Sequence, residues 1–95
     1  MATPRLVFRI HAIQRMVQRG ISETDVREVL ASGDVIENYP DDSPYPSRLV
    51  LGWRGSRPIH VVAAESTDAD ATIVITVYEP DTDHWEAGFR RRREQ

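Results

Sequence analysis

The 95-residue sequence contains no cysteine, no lysine and no apolar run long enough to span a membrane. Without cysteine, a disulfide framework, a thiolate nucleophile and a cysteine zinc site are all excluded. The absence of about 20 consecutive apolar residues, and of an apolar secretory stretch near the start, predicts a cytoplasmic protein that is not bound to a membrane. The three histidines, His11, His60 and His84, lack the close spacing of a zinc helix. We therefore expect neither a metal nor another cofactor.

All 12 basic residues are arginine, against 15 acids and a net charge of −3. The acids are concentrated in residues 34–88, where eleven of them accompany three arginines. A chain of this charge lacks the overall positive field that accompanies RNA binding, so a phosphate site would have to be local. The exclusive use of arginine has two explanations, which are genome composition and planar, bidentate contacts to phosphate or carboxylate.

A chain of 95 residues with 40% hydrophobic content can bury one core and not two. The sequence therefore predicts a single domain over residues 1–95, ordered over about residues 7–89. The arginine-rich tail at residues 90–95 is predicted to be disordered.

The N-terminal third predicts a helical hairpin. Ile10, Ile13 and Val17 recur at helical spacing, which indicates a first helix over about residues 9–19 with these side chains on its core face. Gly20 can end that helix in the left-handed conformation. Ser22 and Asp25 resemble a capping box, which predicts a second helix over about residues 23–32.

Four β-rich runs follow the hairpin, at residues 35–39, 48–53, 58–65 and 71–78. The last is the strongest strand signal, because nearly every residue in it is β-branched. The sequence thus predicts an α+β fold in which a helical hairpin packs on a roughly four-stranded antiparallel sheet. After it, residues 81–89 are expected to add a short turn or helix, with Trp85 packed back on the domain.

Alternation along the last strand assigns its side chains to two faces. Ile73, Ile75 and Val77 are predicted to lie beneath the helices, whereas Val74 and Tyr78 point to the other side. The second face is only half apolar, so it is a place where polar candidates can collect.

The first candidate site is a stripe on the first helix. His11, Arg15 and Arg19 are spaced i, i+4 and i+8, on the side away from most of the predicted core face. Guanidinium groups bind phosphate, and an imidazole can move a proton near neutral pH, so the stripe suits phosphodiester chemistry. The same pattern is typical of a solvated helix face, and this alternative stays open.

The second candidate set lies on the strands. Depending on the register between the strands, Tyr78, His60 and, as a third member, Arg48 would share a polar sheet face. Metal-free RNA cleavage needs a base for the 2′-hydroxyl, an acid for the leaving oxygen and cations for the phosphate. His11, His60, Tyr78 and the arginines are candidates for these roles. The structural alternatives are a histidine hydrogen-bonded at the rim of the core and a packed tyrosine ring.

Three blocks of the sequence resemble a bacterial family catalogued as domain-of-unknown-function family 4258. They are His11-Ala12-x-x-Arg15-Met16-x-x-Arg19-Gly20-Ile21-Ser22, Gly33-x-Val35-Ile36 and Ile75-Thr76-Val77-Tyr78-x-Pro80. The family is similar to the small ribonuclease toxins of the RelE and barnase type, in which two helices precede a four-stranded antiparallel sheet. The resemblance implies a toxin-like, metal-independent endoribonuclease that acts on messenger RNA, with a protein antitoxin as its partner.

At the matching positions, the resemblance implies a catalytic role for His11 as acid or base, Arg15 as a phosphate clamp, and a place in the site for Arg19 and Tyr78. His60 as a catalytic residue and Arg48 as a substrate-binding residue rest on the geometric argument alone. A second hypothesis is a non-catalytic module that keeps the fold and binds a protein partner. A third is an accessory protein without an activity of its own.

Overall fold

The computed structural model describes residues 5–94 and shows an α+β domain in which two helices precede most of the sheet. Its elements are β1 (Leu6–Phe8), α1 (Ile10–Arg19), α2 (Glu23–Ser32), β2 (Asp34–Tyr39), β3 (Ser47–Arg54), β4 (Arg57–Ser66) and β5 (Ala71–Tyr78). Within this part of the chain, no helix combines the length and the apolar character needed to cross a membrane.

The strands form one mixed sheet of five, in the order β1-β5-β4-β3-β2. The pairs β2–β3, β3–β4 and β4–β5 are antiparallel. β1 pairs in parallel with β5, placing Leu6 opposite Thr72 and Phe8 opposite Val74. The prediction of a four-stranded antiparallel sheet is therefore wrong, because the sheet has a fifth strand, β1, at its edge and this strand is parallel to its neighbour. With three residues, β1 is too short for alternation to distinguish it from a loop.

Both helix ends follow the predicted local chemistry. Gly20 adopts a left-handed conformation at φ 65°, and its N–H bonds the carbonyls of the last turn of α1. At the start of α2, the Ser22 hydroxyl accepts from the Asp25 N–H at 3.0 Å, and the Asp25 carboxylate accepts from the Ser22 N–H at 3.0 Å. This bond from the Ser22 backbone is the main cause of the lowered pKa of Asp25.

The face that α1 buries is not the predicted one. Ala12 is fully buried and Met16 packs partly against the core, whereas Ile10, Ile13 and Val17 are 74%, 47% and 78% exposed. α1 packs mainly on β5, and the residue of the helix that is fully buried is the small Ala12. The prediction that the three aliphatic residues form the core face is therefore wrong. The positions of the most hydrophobic residues thus do not identify the side of α1 that is buried.

A β-bulge explains why β5 departs from simple alternation. The register between β4 and β5 shifts so that Ala63 pairs with Val74, while Val62 pairs with Thr76. Ile75 is left over as the extra residue, and Val74 and Val77 both join the core cluster. Val77 thus lies beneath the helices as predicted, but the prediction is wrong for Val74, which lies there too, and for Ile73 and Ile75.

The core lies between the helices and one face of the sheet. Val26 and Val29 of α2 pack there with residues of the three central strands, and each of these side chains is at most 2% exposed. Where α2 crosses β3, Gly52 lies directly under Val29. A Cβ atom at residue 52 would lie 2.7 Å from Val29 Cγ2 and 3.0 Å from Val29 Cα. The helix can approach the strand this closely only because residue 52 has no side chain.

Gly52→Ala is expected to lower the free energy of unfolding by about 2 kcal/mol, because α2 must move away from β3 to make room for the methyl group. Urea denaturation followed by circular dichroism measures the change. Ser56→Ala, in the exposed β3–β4 turn, is the control and should change stability by less than about 0.5 kcal/mol. Equal stabilities of the two variants would contradict the packing argument.

Candidate functional site

The stripe predicted on α1 is present and faces solvent. His11, Arg15 and Arg19 are all exposed, and none of them makes an ion pair or a side-chain hydrogen bond within residues 5–94. Six other arginines in the same part of the chain do pair with carboxylates: Arg27, Arg48, Arg54, Arg57, Arg90 and Arg92. The stripe therefore offers guanidinium and imidazole groups that no acid neutralises.

The stripe ends at a junction that Arg57 holds together. The Arg57 side chain donates to the carbonyls of Arg19 and Gly20, the latter at 3.2 Å, and its Nε lies 3.0 Å from Glu79. These bonds tie the end of α1 to the β3–β4 hairpin and to the end of β5. Arg57 donates a hydrogen bond to the carbonyl oxygen of Arg19. The Arg19 side chain is therefore not needed as a donor to the carbonyls at the end of α1. Sequence reasoning missed Arg57, because its partners Gly20 and Arg19 are 37 and 38 residues away in the chain.

His60 and Tyr78 do come together, as predicted, but in the interior. His60 is fully buried, its Nδ1 lies 3.2 Å from the Tyr78 hydroxyl, and its Nε2 lies 2.9 Å from the carbonyl oxygen of Phe89. A carbonyl can only accept, so Nε2 carries the proton and Nδ1 accepts from the tyrosine hydroxyl. Both nitrogens of the imidazole are therefore occupied.

Burial controls the ionisation of this pair. It lowers the pKa of His60 and raises the pKa of Tyr78 to about 12. At neutral pH the imidazole is therefore neutral and the phenol keeps its proton. With no exposed nitrogen and no phenolate, the pair acts as a hydrogen-bonded element of the interior.

The cover over His60 is the C-terminal strap, by which we mean residues 80–94. Trp85 is only 3% exposed, and its ring meets the His60 ring edge to face, with centroids 4.4 Å apart and planes at 85°. The Phe89 ring lies 6.0 Å from that of Trp53. Trp85 thus packs on the domain as predicted, on turns rather than on a helix.

Ion pairs fasten the end of the strap to β2. Arg92 forms two hydrogen bonds to Glu37, at 3.1 and 3.2 Å, and Arg90 Nη1 lies 2.9 Å from Asp34. Burial favours a higher pKa for Glu37, but hydrogen bonds from Arg92 and Tyr39 outweigh it, and the net shift is downward. Disorder was predicted for residues 90–95. Residues 90–94 of this segment are described and include both arginines that form these ion pairs, whereas Gln95 lies outside the described residues. These partners are 55 and 56 residues apart, so no local pattern could have indicated them.

Arg48 does not join His60 and Tyr78. It pairs with Ala63, a residue of the core cluster, whereas His60 pairs with Leu51. Because side chains alternate between faces, Arg48 points to the helix side and His60 to the strap side. The prediction that all three share a face is wrong for Arg48.

On its own face, Arg48 Nη2 lies 2.9 Å from Glu65, whose carboxylate also accepts from the Thr72 hydroxyl. Arg48 and Thr72 line a cavity of about 350 Å³ with Leu6 and Leu30. No group of three histidine or acidic side chains within residues 5–94 could hold a metal ion. The candidates therefore lie in three places: the solvent-facing stripe on α1, the His60–Tyr78 pair, and Arg48 on the helix side of the sheet.

The lowered pKa of His60 makes the fold sensitive to mild acid. The unfolded chain takes up this proton near pH 6.5, whereas the folded chain resists it until a lower pH. Stability is therefore complete above about pH 6.5 and falls as the pH drops towards the pKa of the folded state, by at most about 1.4 kcal/mol per pH unit for one proton.

Urea unfolding between pH 7.5 and 5.5 tests this, with His60→Gln as the comparison. The variant should lose less stability over this range than the native chain. The carboxylates with lowered pKa, among them Glu37 and Asp25, titrate below this range. Groups shared by the two proteins cancel in the difference. Identical slopes would show that His60 does not resist protonation in the folded state.

Comparison with known proteins places these residues in a family. The family model described as Domain of unknown function (DUF4258) matches residues 8–79, which include α1, His60 and Tyr78 and end where the strap begins. No curated protein and no solved structure gives a significant match. Since the match spans most of the chain, the protein belongs to the family of the domain of unknown function DUF4258.

Proposed function

We propose that the chain is a toxin-like, metal-independent endoribonuclease that binds RNA through the stripe of His11, Arg15 and Arg19. The observation that carries the proposal is that these side chains are exposed and have no carboxylate partner within residues 5–94, whereas six other arginines are bound to acids. The first 22 residues add to it, because they hold four arginines and no acid. The resemblance to RelE-like toxins, with helices ahead of the sheet, supports the same reaction class.

In this proposal the reaction takes place beside α1. The guanidinium groups of Arg15 and Arg19 bind the phosphate and stabilise the charge of the phosphorane. His11 accepts the proton of the 2′-hydroxyl as that oxygen attacks phosphorus; the bond to the 5′-oxygen breaks and this oxygen takes a proton from solvent, which yields a 2′,3′-cyclic phosphate and a free 5′-hydroxyl. His60 supports the sheet instead of transferring protons because the strap covers it, and the half-buried Tyr78 keeps its proton and donates it in the hydrogen bond to His60. The substrate is messenger RNA in the cytoplasm, and a protein antitoxin is the partner.

Purified protein incubated with a structured RNA in EDTA is expected to produce 2′,3′-cyclic phosphate ends, measured on sequencing gels with and without phosphatase treatment. His11→Gln should lower the rate about 100-fold, the usual contribution of a general acid or base. Arg15→Gln should lower it by a similar factor through the lost phosphate contact.

The matched control is Arg27→Gln, since Arg27 pairs with Glu23 on the neighbouring helix α2. This variant should cleave at nearly the native rate. Cleavage that both α1 substitutions leave intact would refute the stripe as the site. Absence of cleavage, together with normal growth on expression, would refute the ribonuclease proposal.

A second candidate function, a protein-binding module, is favoured by the aliphatic residues that α1 leaves uncovered. Ile10, Ile13 and Val17 are spaced i, i+3 and i+7, and they lie on the side of the helix opposite the cationic stripe. Two of the three are more than 70% exposed. An exposed aliphatic row of this spacing is the surface that an amphipathic partner helix packs against.

Val17→Asp distinguishes this function, with Gln18→Asp as a control that adds the same charge at the next residue. Both positions are exposed, so each variant should keep its stability within about 0.5 kcal/mol. In this second proposal we expect the partner to be encoded by the neighbouring gene; its binding, measured by calorimetry, should weaken at least about tenfold for Val17→Asp alone. Equal binding by the two variants would exclude the aliphatic row as the interface.

A further inference from the structure

The strap is held by contacts that resemble those of a bound peptide. It has neither helix nor regular strand, and the bridge between Trp85 and Arg92 is isolated. Gly88 and Phe89 adopt left-handed conformations, with φ of 87° and 61°. Hydrogen bonds within the strap, among them Glu86 N–H to the Arg91 carbonyl and Arg93 N–H to the His84 carbonyl, both at 2.9 Å, fold it into a compact turn that lies on the sheet.

That surface recognises the strap in three ways. His60 Nε2 donates to a main-chain carbonyl, that of Phe89, at 2.9 Å. The His60 ring meets the Trp85 ring edge to face, with centroids 4.4 Å apart; within the strap, the Arg92 guanidinium stacks on the same ring at 4.7 Å. Asp34 forms an ion pair with Arg90, and Glu37 forms one with Arg92. A backbone contact, an aromatic contact and opposite charges together select a basic segment that carries aromatic side chains.

The family match covers the residues of this surface but not those of the strap. The residues that form the surface, from Asp34 to Tyr78, lie within the matched range 8–79, whereas Trp85, Phe89 and both arginines lie beyond it. The surface therefore belongs to the domain shared by the family, and the strap is attached after that domain ends.

We propose that the sheet face formed by Asp34, Glu37, Trp53, His60 and Tyr78 is a peptide-binding site for a basic segment with Trp and Phe four residues apart. In the isolated chain the strap fills this site. A segment of the same chemistry from another protein binds there by displacing it. The proposal does not depend on the ribonuclease function, which uses α1.

The test uses the full chain carrying Trp85→Ala, which removes the largest anchor of the strap, and a fluorescent peptide of residues 79–94. Fluorescence anisotropy is expected to show saturable binding to this variant. Binding to the native chain should be at least tenfold weaker, because its own strap competes. Circular dichroism establishes that the variant is folded before titration.

Two peptides of equal net charge supply the specificity control. In one, Arg90 and Arg92 are replaced by Glu, which removes the partners of Asp34 and Glu37. In the other, Arg91 and Arg93 are replaced by Glu instead. Neither of these two arginines pairs with an acid within residues 5–94, although Arg93 donates to the Thr82 carbonyl inside the strap. The first peptide should bind at least tenfold more weakly than the native peptide, and the second within about threefold.

Equal binding of the two peptides, or no saturable binding to a folded variant, would overturn the proposal. If Trp85→Ala does not fold, the full chain with Arg90→Glu and Arg92→Glu replaces it, since that variant keeps the Trp85 ring against His60 and loses the two ion pairs and the stacking of Arg92 on Trp85. Failure of both chains to fold would also overturn the proposal, because the strap would then be an obligatory part of the core.

Discussion

β4 is buried on both of its faces, and the rest of the molecule is arranged around that constraint. Ile59 and Val61 point to the helices, while His60 between them points to the strap, and all three are fully buried. A strand covered on both sides must satisfy a polar side chain from within the protein, since water cannot reach it. The Tyr78 hydroxyl and the Phe89 carbonyl meet that need. The position of the strap is therefore coupled to the hydrogen bonding of a single histidine.

The parts of the fold that could be predicted are those decided by neighbouring residues. Gly20 and the pair Ser22 and Asp25 determine where the two helices meet, and the structure has these caps as expected. The β-branched run of β5 likewise determines its conformation. Which side of an element is buried depends on what packs against it. Ala12 is central because α1 packs closely on β5, and no feature of the helix alone shows that Ile13 lies outside this contact.

The same distinction between local and long-range effects applies to the candidate site residues. The spacing of His11, Arg15 and Arg19 follows from helical geometry, so their common stripe could be predicted. Arg48 could not be placed, because its face depends on the register between β3 and β4. The cover over His60 was beyond sequence reasoning as well. It depends on Arg92 reaching Glu37 across 55 residues of chain, and a local pattern holds no information on such a pair.

An acidic protein can present a cationic surface when the carboxylates nearest to that surface are neutralised. The acids closest in sequence to α1 belong to α2, and each of them is paired: Glu23 with Arg27, and Asp25 and Glu28 with Arg54. Glu79, near the end of α1, is bound to Arg57. At physiological salt the remaining acids act only over a distance of about 8 Å. These ion pairs leave the cations of α1 without a carboxylate partner among the described residues, so a net charge of −3 does not by itself exclude an anionic ligand at this helix.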